Sequence, residues 1–210
     1  VVTRPTPWDE LLATHGTRAQ VDFFLETRGQ TSARALAAHA EQQQATHVVS
    51  GAIPRRWRRA WVGRSDLDRF LFEPQAFVVA VGPDGLVANV AKYLDGQPVL
   101  GINPAPALYD GVLVPHAPEA ATTMLLRTAR DEVEIEHRTM VEARSDDGQR
   151  LRALNEIFIG HPSHQTARYD LHTSDGSGEA QASSGVIVAT GTGATGWGRS
   201  VALERHSGLS

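Results

Sequence analysis

Residues 77–102 decide the fold of this chain. They begin Phe77-Val-Val-Ala-Val81, continue through Gly82-Pro-Asp-Gly85 and end on Pro98-Val-Leu-Gly-Ile102. A continuous valine-rich run is typical of a strand buried on both faces, and the Pro-Asp-Gly sequence is typical of a turn. Apolar residues at helical spacing then run to Leu94. The sequence therefore predicts a βαβ unit, which belongs to a parallel α/β layer.

The residues before this unit have helical patterns. Residues 8–26 carry a broad apolar stripe that predicts one helix, and a second helix is predicted over residues 33–44 after a Thr-Ser pair. The stretch Arg55-Arg-Trp-Arg-Arg59 leaves a contact with nucleic acid open. A solvated arginine face is the favoured interpretation, because the chain as a whole is acidic.

The second half of the chain changes character after Asn103-Pro-Ala-Pro106, which predicts a boundary or hinge. One helix is expected within residues 115–130. Alternating apolar and polar residues begin at Val133, Asp146-Asp-Gly148 has the chemistry of a hairpin turn, and strands are expected at residues 155–159, 167–172 and 185–189. The sequence predicts an α/β domain over residues 1–108 and an antiparallel β domain over residues 109–210.

Composition narrows the class of protein. Hydrophobic residues make up 41% and charged residues 21% of the 210 residues, as in globular domains. The absence of cysteine excludes disulfides, zinc–thiolate sites and cysteine nucleophiles, and it suits a cytoplasmic protein. A net charge of -4 argues against a nucleic-acid partner, and no apolar run approaches the roughly 20 residues that span a membrane.

Lys92 is the single lysine among 20 basic residues. A phosphate loop of the Gly-Lys-Ser/Thr type is therefore absent. If this protein binds phosphates, backbone amides, arginines or a metal ion must hold them.

Three segments carry candidate functional residues. Asp84 follows a parallel strand at the edge where open α/β sheets bind ligands, so its carboxylate could orient a hydroxyl, accept a proton or hold Mg²⁺. The alternative is a purely structural turn or helix cap. Asn155 and Glu156 pair an amide with a carboxylate, which suits vicinal hydroxyls or an amide group. His161 and His164 could bind zinc, although a polar loop is the favoured interpretation.

A further segment, Gly191-Thr-Gly-Ala-Thr-Gly196, matches the Gly-x-Gly-x-x-Gly pattern after a predicted strand. A dinucleotide-binding Rossmann fold needs a further helix, strand and acidic residue, and too little sequence follows Gly196 to supply them. The loop is instead expected to allow a ligand to approach the backbone closely.

Taken in order, four segments resemble the NAD kinase family. They are Val81-Gly-Pro-Asp-Gly-Leu86, Pro98-Val-Leu-Gly-Ile-Asn103, Leu154-Asn-Glu-Ile157 and Ser184-Gly-Val-Ile-Val-Ala-Thr-Gly-Thr-Gly-Ala-Thr-Gly-Trp197. The resemblance implies an α/β nucleotide-binding domain and a β-sandwich, with the site in the cleft between them. It also implies that ATP, with Mg²⁺, phosphorylates the adenosine 2′-hydroxyl of NAD to make NADP.

The resemblance carries roles to individual residues. It implies that Asp84 orients or deprotonates the acceptor hydroxyl, and that Asn155 and Glu156 bind the ribose or nicotinamide of NAD. The remaining positions that it implies for nucleotide contact are Gly82, Gly85, Thr192, Gly193, Thr195, Gly196, Trp197 and Ser200. No metal ligand is assigned, and the expected assembly is a homodimer or a higher homo-oligomer.

The chain departs from the family pattern at the first turn. Pro83 stands in place of a glycine and removes an amide, and Leu86 stands in place of a threonine and removes a hydroxyl. Two alternatives therefore stay open: a non-catalytic nucleotide-binding protein, or a lipid kinase of the same superfamily. Family members continue with further sandwich strands after the last motif, so a chain truncated at its C-terminus is also expected.

Overall fold

The chain forms two compact units, Val1–Ile135 and Glu136–Ser210, in a computed structural model. The structure describes residues 1–107, 110–163, 165–196 and 200. The first unit ends later than the domain boundary predicted after residue 108. Its last helix accounts for the difference, because Ala121 and Leu125 of that helix pack into the core of the first unit.

The described part of the first unit contains five helices and four strands. The helices are α1 (Pro7–His15), α2 (Arg18–Glu26), α3 (Ala33–Ala52), α4 (Asp84–Ala91) and α5 (Ala121–Thr128). The strands are β1 (Val2–Thr3), β2 (Val62–Gly63), β3 (Val78–Val81) and β4 (Val99–Ile102). No helix among the described residues is both long and apolar enough to cross a membrane.

The four strands form one parallel sheet in the order β2-β1-β3-β4. The central pair runs in register from Val78 opposite Val99 to Val81 opposite Ile102. The predicted βαβ unit of β3, α4 and β4 is therefore confirmed. The sequence patterns missed β1 and β2, because two residues are too few to show a period.

Hydrophobic packing covers both faces of this sheet. Val78 and Ala80 face a cluster that includes Leu86 and Val90 of α4. Val79 and Val81 face the other side, where α3, the residue that caps it and α5 supply the facing residues Ala45, Val49, Ile53, Ala121 and Leu125. All four residues of β3 are buried, as the continuous apolar run predicts for a strand between two helical layers.

The single helix predicted over residues 8–26 is wrong, because the chain turns after α1. Gly16 ends that helix with a φ of 82°, a conformation that glycine adopts without steric cost. Thr17 then caps α2 by accepting a hydrogen bond from the Gln20 amide at 3.3 Å. The apolar stripe is real, since Trp8, Val21 and Leu25 share one small core, but two helices provide it.

The described part of the second unit consists of antiparallel pairs. Its strands are β5 (Val141–Arg144), β6 (Arg150–Ala153), β7 (Glu156–Gly160), β8 (Ala167–His172), β9 (Gly178–Ser183) and β10 (Gly185–Ala189). They pair as β5 with β6, β7 with β10, and β8 with β9. The predicted fold class, a parallel α/β part followed by antiparallel β structure, is confirmed. The alternation at residues 133–140 forms no strand, and β9 was not predicted.

One close approach of the backbone fixes the carboxyl end of the first sheet. Residues 111–114, here called the strap, cross directly over Gly101 of β4. A Cβ atom at Gly101 would lie 2.0 Å from the Leu113 carbonyl oxygen. Val114 is 1% exposed and anchors the strap in the core below. A side chain at position 101 would therefore push the strap away from the sheet.

We expect Gly101→Ala to lower the free energy of unfolding by about 1–3 kcal/mol, the usual range for overpacking a tight contact. Urea denaturation measures the change. Gly51→Ala is the matched control, because Gly51 lies in α3 with nothing within 4 Å of its added Cβ. Alanine in a helix should stabilise by about 0.5–1 kcal/mol relative to glycine. Equal effects of the two substitutions would contradict the close approach.

Candidate functional site

The Asp84 turn is held in place from two sides. It follows β3 directly, and Asp84 is the first residue of α4. The buried side chain of Gln42 in α3 donates from Nε2 to the Val81 carbonyl oxygen at 2.9 Å. The Gly82 amide donates to the Ile102 carbonyl oxygen of β4 at 3.1 Å. A helix on one face and a strand beside it therefore position the carboxyl end of β3.

The Asp84 carboxylate binds three consecutive amides of the strap. Val112 N donates to Oδ2 at 3.0 Å, and Leu113 N and Val114 N donate to Oδ1 at 2.8 and 3.1 Å. A purely structural Asp84 would therefore link two backbone segments and would not act as the helix cap considered above. Asp84 ties the start of α4 to the strap that crosses β4. Whether this carboxylate also acts on a substrate stays a prediction.

The two glycines of the turn differ in their surroundings. A Cβ on Gly82 would meet Leu86 Cδ2 at 3.0 Å, so internal packing already explains this glycine. Gly85 is exposed and has nothing within 4 Å of an added Cβ. Of the two, Gly85 is the position at which open space adjoins the backbone at the start of α4.

In the second unit, Asn155 and Glu156 hold two unsatisfied oxygen atoms. They lie where β6 has ended and β7 begins. Asn155 Oδ1 and Glu156 Oε2 are buried side-chain acceptors without a hydrogen-bond partner among the described residues. Leaving such a group unpaired costs about 1–3 kcal/mol. The arrangement therefore favours a molecule that brings hydrogen-bond donors to this position.

The loop after β10 is fastened to the backbone of Leu154 and Asn155, and it passes beside Glu156. Thr190 Oγ1 donates to the carbonyl oxygens of Leu154 and Asn155 at 2.5 and 3.1 Å, and it accepts from Gly193 N at 3.1 Å. A Cβ on Gly193 would lie 2.0 Å from the Asn155 carbonyl oxygen. A Cβ on Gly196 would lie 3.5 Å from Glu156 Oε2. Gly193 therefore lets the loop lie directly on Asn155, and Gly196 lies within van der Waals distance of Glu156.

The other predicted contact positions follow along this loop. Thr192 Oγ1 lies 3.3 Å from Nη1 of Arg138, which donates to it. Thr195 ends a short 3-10 turn, Gly193–Thr195, and Ser200 is exposed with its amide 3.4 Å from the Gly196 carbonyl oxygen. Trp197 lies outside the described residues.

The predicted site residues thus fall into two groups. Gly82, Asp84 and Gly85 form one turn in the first unit, and the structure brings the remaining described positions together in the second: Asn155, Glu156, Thr192, Gly193, Thr195, Gly196 and Ser200. Three further residues were missed by sequence reasoning. Thr190 could have been found as the hydroxyl residue that directly follows β10, whereas Gln42 and Arg138 carry no local signal.

Metal binding finds little support in the described side chains. No group of three or more His, Cys, Asp or Glu residues that could hold a metal ion occurs among them. His161 accepts a hydrogen bond from the Ser163 amide at 3.2 Å, and His164 lies outside the described residues. The predicted polar-loop interpretation of His161 agrees with this contact.

Curated relatives of this chain are NAD kinases. The NAD kinase of Chlorobaculum tepidum is 26% identical over 142 residues, which are 67% of this chain and 48% of that protein. The NAD kinase of Caldanaerobacter subterraneus is 31% identical over 132 residues, 60% of this chain and 46% of that protein. Mitochondrial NAD kinase 2 of Homo sapiens is 33% identical over 110 residues, 52% of this chain and 22% of that protein.

These matches confirm the resemblance that the four sequence segments indicate. The chain is a distant relative of NAD kinases, and it spans between 22% and 48% of the length of these three proteins. No family model matches it.

We expect Thr190→Val to lower the free energy of unfolding by about 1–3 kcal/mol, because the Leu154 carbonyl loses its side-chain donor and the Gly193 amide loses its acceptor. Thr190→Ser is the matched control, since it keeps the hydroxyl that binds Leu154, Asn155 and Gly193. Urea denaturation of both variants measures the difference. An equal loss in the serine variant would contradict the role of the hydroxyl.

Proposed function

We propose that this distant relative of NAD kinases is itself a NAD kinase, which transfers the γ-phosphate of ATP to the adenosine 2′-hydroxyl of NAD and forms NADP and ADP. The similarity to NAD kinases supports the reaction class. The geometry of the site supports NAD as the molecule that accepts the phosphate.

The paired acceptors Asn155 Oδ1 and Glu156 Oε2 are the observation that carries the proposal. Two buried acceptors call for a ligand with two donors. Ribose hydroxyls and a carboxamide NH₂ provide such donors, and NAD contains both. A phosphate group does not fit, because its oxygens are acceptors and would be repelled by the Glu156 carboxylate. We assign the second unit to the nucleoside part of NAD.

The close backbone approach of the loop at residues 190–196 supports the same assignment. Glycines at positions 193 and 196 leave no side chain between the loop and Glu156. Gly196 is also exposed, so a flat nucleoside could approach the backbone there without meeting a Cβ. Thr192 offers a hydroxyl on the same loop, held by Arg138.

Asp84 is the proposed proton acceptor. The 2′-oxygen of NAD forms a bond to the γ-phosphorus, the bond from that phosphorus to the β–γ bridging oxygen breaks, and ADP leaves. The hydroxyl proton passes to the Asp84 carboxylate. A loose phosphoryl-transfer transition state mainly needs alignment and charge neutralisation, so the base supplies one part of the chemistry and other groups must bind the phosphates.

The similarity to NAD kinases implies that Mg²⁺ acts together with ATP, but the described residues do not form a ready-made site for this ion. They contain no cluster of metal-binding side chains, and both Asp84 oxygens accept amide hydrogen bonds. Mg²⁺ commonly binds substrate phosphates with one or two carboxylates. We therefore assign the ion no protein ligand and no step.

Incubation of the protein with ATP, Mg²⁺ and NAD, followed by an assay for NADP, tests the proposal. We expect NADP to form, and Asp84→Asn to lower its rate at least about a hundredfold, the lower end of general-base contributions. Circular dichroism shows whether the variant is folded. A folded variant that retains most of its turnover would contradict the role of Asp84.

We expect Glu156→Gln to weaken NAD binding about ten- to hundredfold, because a hydrogen bond to a charged group contributes about 1.5–3 kcal/mol. ATP affinity should stay unchanged. Glu179→Gln is the matched control, since Glu179 is an exposed carboxylate of β9 in the same unit. Isothermal titration calorimetry measures both ligands. Weakened ATP binding with unchanged NAD binding would reverse the assignment.

One observation favours a second candidate, a nucleotide-binding protein without catalysis. The Asp84 carboxylate is engaged by three amides, and Pro83 and Leu86 replace two hydrogen-bonding groups of the family pattern. Measurable NAD binding without any NADP formation would favour this candidate.

A further inference from the structure

The turn that carries Asp84 is poor in groups that bind phosphate. Pro83 has no amide hydrogen and Leu86 has no hydroxyl. The chain also lacks a lysine phosphate loop, since Lys92 is its single lysine. A protein that transfers phosphate needs hydrogen-bond donors near its acidic residue, and the turn itself supplies few.

The strap supplies such donors immediately beside the turn. The amides of Val112, Leu113 and Val114 converge on one carboxylate at 2.8–3.1 Å. Consecutive backbone amides that converge in this way form anion-binding concavities in many proteins. A carboxylate and a phosphate present the same kind of charged oxygen acceptor. The strap amides therefore already bind an anion, and that anion belongs to the chain itself.

Packing holds these donors in place independently of Asp84. The Leu113 carbonyl lies against Gly101, where no Cβ could fit. Within the strap, an added Cβ on Gly111 would lie 2.5 Å from the Val114 carbonyl oxygen, so the strap folds closely on itself. Val114 is 1% exposed, whereas Val112 is 63% exposed. The strap is thus anchored at one end and open to solvent at the other, so its amides would stay aligned for a replacement anion.

We propose that the amides of Val112, Leu113 and Val114 form a phosphate subsite, which Asp84 occupies in the absence of nucleotide and from which a phosphate group of the donor displaces it. This inference rests on the proposed function, because it names the groups that receive the phosphates of ATP. It also gives Asp84 two positions. While it is bound to the strap, the carboxylate is held away from the hydroxyl that accepts the phosphate. Once it is displaced from the strap, the carboxylate is free to accept a proton.

Competition between the carboxylate and phosphate provides the test. Removing an internal competitor raises the apparent affinity by the reciprocal of the fraction of sites that it left free. We expect Asp84→Ala to bind inorganic pyrophosphate at least about tenfold more tightly than the unaltered protein, and Asp84→Asn to lie between them. Isothermal titration calorimetry of the full chain, without NAD or metal ions, measures the affinities.

Asp110→Ala is the matched control for charge. Asp110 is exposed and lies two residues before the first strap amide, so its removal reduces general repulsion of anions without vacating the subsite. We expect this variant to gain much less affinity than Asp84→Ala. Equal gains in the two variants, or weaker binding by a folded Asp84→Ala protein, would overturn the proposal.

A measurement on the unaltered protein covers the case in which Asp84→Ala does not fold. Titration with pyrophosphate should shift the amide NMR signals of Val112, Leu113 and Val114, because their acceptor changes. Saturating pyrophosphate without any such shift would overturn the proposal. Pyrophosphate binding requires no phosphoryl transfer, so a failure to form NADP is a separate result from a failure of this subsite.

Discussion

The burial of β3 on both faces is the constraint on which the first unit depends. Each buried valine of that strand gains about 1.5–3 kcal/mol relative to an exposed one, and all four of its residues are buried. Such a strand requires a helical layer on either side, which α4 provides on one face and α3 with α5 on the other. The carboxyl end of β3 lies at the edge of the sheet where all four parallel strands end. There Gln42 donates to the carbonyl oxygen of Val81, and the amide of Gly82 donates to the carbonyl oxygen of Ile102.

This edge and the second unit offer opposite hydrogen-bonding chemistry. The strap in the first unit presents converging amide donors, which suit an anion. Asn155 and Glu156 in the second unit present buried acceptors, which suit hydroxyls or an amide. A reaction between a polyphosphate and a nucleoside needs both kinds of surface. Each of these surfaces, taken by itself, is complementary to one of the two proposed substrates.

Much of the candidate site could be predicted because its residues lie at strand boundaries. Asp84 follows a strand that the valine-rich run of residues 77–81 identifies, and Asn155 and Glu156 lie at the start of another. Gln42 could not be found in this way, because its role comes from a hydrogen bond to Val81, 39 positions later. The binding of Asp84 to the strap was missed for the same reason. No local pattern indicates which distant backbone a carboxylate will meet.

The sequence by itself determined the βαβ unit, the antiparallel character of the second half and the positions of Asp84, Asn155 and Glu156 at strand boundaries, because hydrophobic period and turn chemistry are local properties. Tertiary structure alone decided the rest. It placed the two-residue strands β1 and β2 beside β3, moved α5 into the first unit and brought the strap amides to Asp84. These features depend on contacts between residues far apart in the chain, where packing and hydrogen-bond satisfaction, rather than local propensity, select the partner.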